Sequence, residues 1–165
     1  MSYQEYLGRT ETREDRLDPR LIEGLAATLD RDIPEGDVPP LWHWMLFQDW
    51  RRPGGVGPDG HPRRGGFLPP VHELPRRMWA GVYRGTEGAA VRAAEAAPEF
   101  AHDRRLDLVP DALLLFRYSA LTGNGHRIHY DMPYVTGEEG YPGLIVHGPL
   151  QATLMAQTIL VATPG

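Results

Sequence analysis

Two imidazoles, a carboxamide and a carboxylate lie within eight consecutive positions of this chain, at Asn124, His126, His129 and Asp131. Imidazole titrates near neutral pH and can take or give a proton, whereas a carboxamide can only orient its neighbours. His147-Gly148-Pro149 then opens an apolar stretch, LQATLMAQTILVA, whose helical first turn would offer unpaired backbone N–H groups. A proton shuttle beside such a helix opening suits chemistry at a polarised carbonyl.

The elements around these residues follow from local pattern. The run Ala112–Leu121, with its continuous apolar core Leu113–Phe116, is consistent with a buried strand, ended by the turn Gly123-Asn124-Gly125. If the following segment is extended, His129 and Asp131 point to the same side. From Pro149 the chain is apolar nearly all round, as a buried helix is. Upstream, Asp18-Pro19 followed by Leu21, Ile22, Leu25, Ala26 and Leu29 predicts a capped amphipathic helix. Residues 33–81 are dense in Gly and Pro and suit loops and brief strands, and 85–105 reads as a linker.

Composition narrows the function classes. The 165 residues hold no cysteine, which removes thiolate nucleophiles, disulfides and thiolate metal sites. All 17 basic residues are arginine, so Schiff-base chemistry is excluded. A net charge of −5 disfavours a nucleic-acid partner. No apolar run is long enough for a bilayer, and the charged N-terminal residues do not read as a secretory signal, so a cytoplasmic location without a membrane partner is expected.

The segment Tyr118-Ser119-Ala120-Leu121-Thr122-Gly123-Asn124-Gly125-His126-Arg127-Ile128-His129-Tyr130-Asp131 resembles the hydratase signature of the MaoC-like, hot-dog superfamily. Within it, the words LLFRYSALT, NGHRIHYD and EGYPGL-VHGPL are similar to the mesaconyl-CoA hydratase and type-2 hydroxyacyl-thioester dehydratase group. So are the upstream blocks 39–44, 57–62, 66–70 and 74–81. The resemblance implies an α+β, hot-dog-derived fold, with a central apolar helix against an antiparallel sheet. It implies a lyase adding or removing water across the α,β double bond of an acyl-CoA or acyl-carrier thioester, including mesaconyl- or itaconyl-type dicarboxylic acyl groups. No cofactor and no metal are required, and self-association is expected.

The resemblance assigns roles to His129 and Asn124, and residue chemistry suggests the others. His129 matches the catalytic histidine, and Asn124 stands where most hydratases of the superfamily carry a catalytic aspartate. Asp131 becomes the carboxylate that holds the imidazole or acts as base. The N–H of Gly148, beside His147, is the candidate for the thioester oxygen, and Arg76 and Arg77 are weaker candidates for coenzyme A phosphates. Relatives of this kind carry two hot-dog domains in tandem. Here Trp79-Ala80-Gly81 runs directly into Val82-Tyr83-Arg84, so residues 1–84 read as a remnant of a first unit and 106–165 as the start of a second, with strands of both missing.

Other readings stay open on the residues alone. Gly123-Asn124-Gly125 can be only a turn, His126 structural, His147 a cap of the helix opening, and Asp131 a turn residue before Met132-Pro133. His126-x-x-His129-x-Asp131, with His147, has the donor types of a metal site. A catalytically inactive remnant serving as a dimerisation or binding module is the third class. Gly55-x-Gly57-x-x-Gly60 fits a dinucleotide fingerprint only formally, since Pro58 interrupts it and no helix follows.

Overall fold

The computed structural model describes residues 3–71 and 105–162, the side chains of 160–162 excepted. The expected linker at 85–105, the join at Gly81-Val82, and Arg76 and Arg77 therefore lie outside the described residues, apart from Arg105.

Helix α1 spans Pro19–Thr28 and begins as its sequence predicts. Asp18 is extended, its side chain accepts the Arg20 N–H at 2.9 Å, and Pro19 occupies the first turn where its missing N–H costs nothing. Ile22, Leu25 and Ala26 form the buried face.

Residues Ala112–Leu121 are not a strand but helix α2. The Asp111 side chain caps it by accepting the Leu114 N–H at 2.8 Å. The run ALLLFRYSAL holds no β-branched residue and is dominated by Leu, Ala and Arg, which lose little in a helix. Its buried residues, Leu115, Tyr118 and Ser119, fall at helical spacing, and Leu113 and Phe116 face outward.

Two shorter pieces follow. A 3₁₀ turn covers Arg127–His129, and α3 spans Met132–Gly137 with Asp131 as its N-cap. The segment carrying His129 and Asp131 is thus turned rather than extended. Helix α4 spans Gly148–Ala162 and starts where His147-Gly148-Pro149 places it. Leu150, Thr153 and Gln157 are buried, whereas Met155 and Ile159 are exposed, so the apolar helix is covered on one side only among the described residues.

One core gathers Ile22, Leu25, Ala26 and Leu29 of the first helix and its end with Trp42, Met45, Leu115, Tyr118 and Leu150. Residues assigned to both expected units share it. Helices α1 and α2 approach closely at Gly24, where a Cβ would stand 2.9 Å from Leu121 Cδ2. A smaller cluster of Ile128, Tyr134 and Val135 underlies α3. The described residues contain no β-strand, only an isolated antiparallel bridge between Val56 and Pro62, so the expected sheet is not found in them. No helix of the described residues is long and apolar enough to cross a membrane.

Candidate active site

Four imidazoles run through the chain's polar centre in sequence. His61 and His126 have ring centroids 4.2 Å apart, His126 and His129 5.5 Å, and His129 and His147 3.6 Å. The last pair is stacked, with 20° between the rings. Tyr118 packs against His147 edge-on at 5.0 Å, and Ser119 Oγ lies 2.8 Å from His147 Nε2.

Each element contributes for a local reason. The last turns of α2 bury Tyr118 and Ser119, and the chain then reverses at Gly123, whose φ of +60° favours glycine. Asn124 closes the connection: its N–H donates to Ser119 O at 2.9 Å and its Oδ1 accepts the His126 N–H at 3.0 Å. The amide therefore acts as an Asx turn through its oxygen. The 3₁₀ turn delivers His129, and Ile145 N–H donates back to Ile128 O at 3.0 Å, tying the Pro/Gly-rich connection before α4 to this turn.

His129 is buried, and its Nδ1 lies 2.6 Å from the Ile145 carbonyl oxygen. A carbonyl can only accept, so Nδ1 carries the proton and the neutral ring presents its lone pair at Nε2. Burial pushes the His129 pKa below its ordinary value, partly opposed by the Ile145 bond, with nearby His126 adding to the decrease. Burial and His126 both favour a neutral imidazole, oriented through its Nδ1–H.

His147 is completely buried and its pKa is pushed down to about 3, first by burial and then by His129 and His126. Its imidazole does not cap α4: the backbone oxygen accepts the Gln151 N–H, while the ring turns to Ser119. Nδ1 of His147 is buried without a hydrogen-bond partner. Gly148 begins α4 next to this ring, and a Cβ there would meet nothing within 4 Å, so the helix opening borders free space.

Asp131 is not paired with His129. Its carboxylate accepts Arg127 Nε at 2.9 Å, Arg127 Nη2 at 2.7 Å and the Tyr134 N–H at 3.1 Å. These bonds, the Arg127 ones first, hold its pKa below the usual carboxylate range. Arg127 also lies over the Tyr134 ring at 4.1 Å. The structure thus brings together His126, His129 and His147 and sets Asp131 aside on Arg127. Ser119, Arg127 and His61 are participants that sequence reasoning did not single out. Ser119 and Arg127 stood within the quoted motif, and His61 within the upstream block 57–62, but nothing in the sequence linked His61 to His126, 65 positions away.

Residues 82–163 match the hydroxyacyl-thioester dehydratase type 2 family. A mesaconyl-C(4)-CoA hydratase of Chloroflexus aurantiacus is 36% identical over 218 aligned positions, covering 92% of this chain and 76% of that protein. The chain belongs to this family. A mitochondrial hydroxyacyl-thioester dehydratase type 2 of Schizosaccharomyces pombe is 46% identical over 48 residues, which are 29% of this chain and 16% of that protein. The 218 aligned positions outnumber the 165 residues of this chain, so the alignment opens gaps within it.

Proposed function

We propose that this chain is a hydro-lyase that adds or removes water across the α,β double bond of an acyl-CoA or acyl-carrier thioester. The observation that carries this reading is the state of His129: neutral, oriented by Ile145 through Nδ1, and basic at Nε2. In hydration, His129 Nε2 takes a proton from water as the oxygen attacks the β-carbon. The electrons move to the thioester oxygen, and the α-carbon then takes the proton from the His129 imidazolium, which returns to its neutral form. The N–H of Gly148, at the positive end of α4, is the donor for the developing oxygen charge.

Asn124 has a supporting role, because an amide cannot accept the proton and its oxygen already holds the His126 N–H. Asp131 is assigned a positioning role: it clamps Arg127 and caps α3, which fixes the turn that presents His129. A dicarboxylic acyl group of the mesaconyl or itaconyl type is the proposed substrate class, supported by the name of the Chloroflexus relative. Self-association is part of the proposal, supported by exposed Leu113 and Phe116 on α2 and Met155 and Ile159 on α4. A cytoplasmic location is the accompanying expectation.

The deciding experiment incubates the purified chain with mesaconyl-CoA and follows the enoyl-thioester absorbance, with product identified by mass. Gain of one water supports the reading. An unchanged substrate with a folded, concentrated protein favours instead the inactive binding module.

A further inference from the structure

The loop Gly57–Pro62 folds tightly on itself. Gly57 N–H donates to His61 O at 2.7 Å, Gly60 N–H to Gly57 O at 3.0 Å, and His61 N–H to Asp59 Oδ1 at 3.1 Å. It is fastened to the catalytic segment by Arg127, whose N–H donates to Asp59 O at 2.9 Å and whose Nη1 donates to Pro58 O at 3.0 Å. Gly60, at φ +89°, sits so close to Gly125 that any Cβ would collide with its carbonyl. As a consequence, one ligand atom each from Asp59, His61 and His126 lie within 4.8 Å of one another.

We propose that Asp59, His61 and His126 form a binding site for a divalent transition-metal ion of the zinc type. Two imidazoles and one carboxylate are borderline donors that suit such an ion, while a single carboxylate is a poor set for magnesium or calcium. Tetrahedral zinc with bonds of about 2.0–2.1 Å separates its ligand atoms by about 3.3–3.4 Å. His61 Nδ1 and Asp59 Oδ2 already stand 3.3 Å apart. The remaining donor, on His126, lies within 4.8 Å of the other two and would close on the ion by side-chain rotation, while the backbone hydrogen bonds keep the two segments together. Three protein ligands leave a fourth position for water.

The donor set differs from the one the sequence pattern offered. Asp131 is committed to Arg127, so His126 turns toward the loop rather than toward that carboxylate. The site stands independently of the hydratase reading. Its ion would lie beside His126, whose ring meets His129, and would add positive charge next to the candidate base.

The test dialyses the purified 165-residue chain against zinc, measures bound metal by elemental analysis, and titrates cobalt as a visible-spectrum probe. One ion per chain is expected. Asp59→Asn and His61→Gln should each weaken binding by at least about tenfold, and His43→Gln should leave it unchanged. Circular dichroism reports whether each variant is folded. In the wild-type protein, zinc should shift the ring-proton resonances of His61 and His126 together. Failure of folded wild-type protein to take up one ion overturns the proposal. So does uptake that leaves those two resonances unmoved, or that survives unchanged in a folded Asp59→Asn or His61→Gln protein.

Discussion

His129 lies face to face with His147 at a centroid distance of 3.6 Å, and only one of the two has its Nδ1 satisfied. Two stacked imidazolium rings would repel each other in a buried site, so the pair is stable only while at least one ring is neutral. This arrangement separates their roles. His129 is fixed by a carbonyl and available at Nε2, whereas His147 is a neutral slab that backs it and is held by Ser119.

Replacing His129 by Gln tests the base directly. Glutamine can still donate to Ile145 O but has no basic nitrogen. Hydratase turnover should fall by about 10²–10⁴-fold with the circular dichroism spectrum retained. A rate within tenfold of wild type would remove His129 from the proton transfer.

Asp131→Asn discriminates a positioning carboxylate from a catalytic one. Asparagine is a good N-cap, so α3 should persist, while the charged bond to Arg127 is lost. Activity should fall less than tenfold, well short of the His129→Gln loss. A loss of about 100-fold or more, in a folded protein, would make Asp131 the base.

How much of this was legible in the sequence depended on whether the signal was local. Asp18-Pro19 and the spacing of Ile22, Leu25 and Ala26 announce α1, and His147-Gly148-Pro149 announces α4. Helix α2 was misread because Leu113–Phe116 is continuously apolar, which periodicity alone cannot assign. The stronger clues were Pro110-Asp111 and the lack of β-branched side chains. Asn124, His126 and His129 were legible as a motif, but their partners were not. Ile145 and His147 reach His129 by tertiary folding, and Asp59 and His61 reach His126 across a gap that no spacing rule spans.

Ser119→Ala should destabilise the fold although it removes one oxygen atom. The hydroxyl is the partner of His147 Nε2, and Nδ1 of that ring already lacks one, so the variant leaves both nitrogens buried and unpaired. A loss of about 1–3 kcal/mol in urea denaturation is expected. Combining it with His147→Phe should recover part of that loss, since no polar ring is then stranded. Additive losses would show that the Ser119–His147 bond is not what stabilises this site.

Stability should also depend on acid. The folded pKa of His147, about 3, lies below the ordinary value of 6.5, so between these pH values the unfolded chain binds a proton that the folded one refuses. Unfolding free energy is therefore highest above about pH 6.5 and falls as pH is lowered toward 3, by up to about 1.4 kcal/mol per pH unit for one proton. The ring faces Tyr118, Ser119 and His129, with His126 beyond, and none supplies a negative charge to retain the proton. The lowered pKa of His129 acts in the same direction. Denaturation midpoints measured from pH 7 to pH 4 should decline, and a His147→Phe protein should decline less steeply. Equal slopes would mean that His147 is solvated and protonated in the folded state.

Gly60→Ala examines whether the Asp59–His61 loop is anchored to the catalytic segment as the backbone indicates. The φ of +89° is unfavourable for alanine, and the added Cβ would overlap Gly125 O, a carbonyl that also accepts the Tyr130 hydroxyl at 3.0 Å. Neither backbone can yield without breaking the Arg127–Asp59 bond that lies between them. The variant should lose more than about 1 kcal/mol of stability, whereas Gly54→Ala, where a Cβ meets nothing within 4 Å, should be close to neutral. Because Gly125 immediately precedes His126, hydratase turnover of the Gly60→Ala protein should fall along with its melting temperature. If both changes are equally mild, the loop does not pack on Gly125, and the row of histidines begins at His126 rather than at His61.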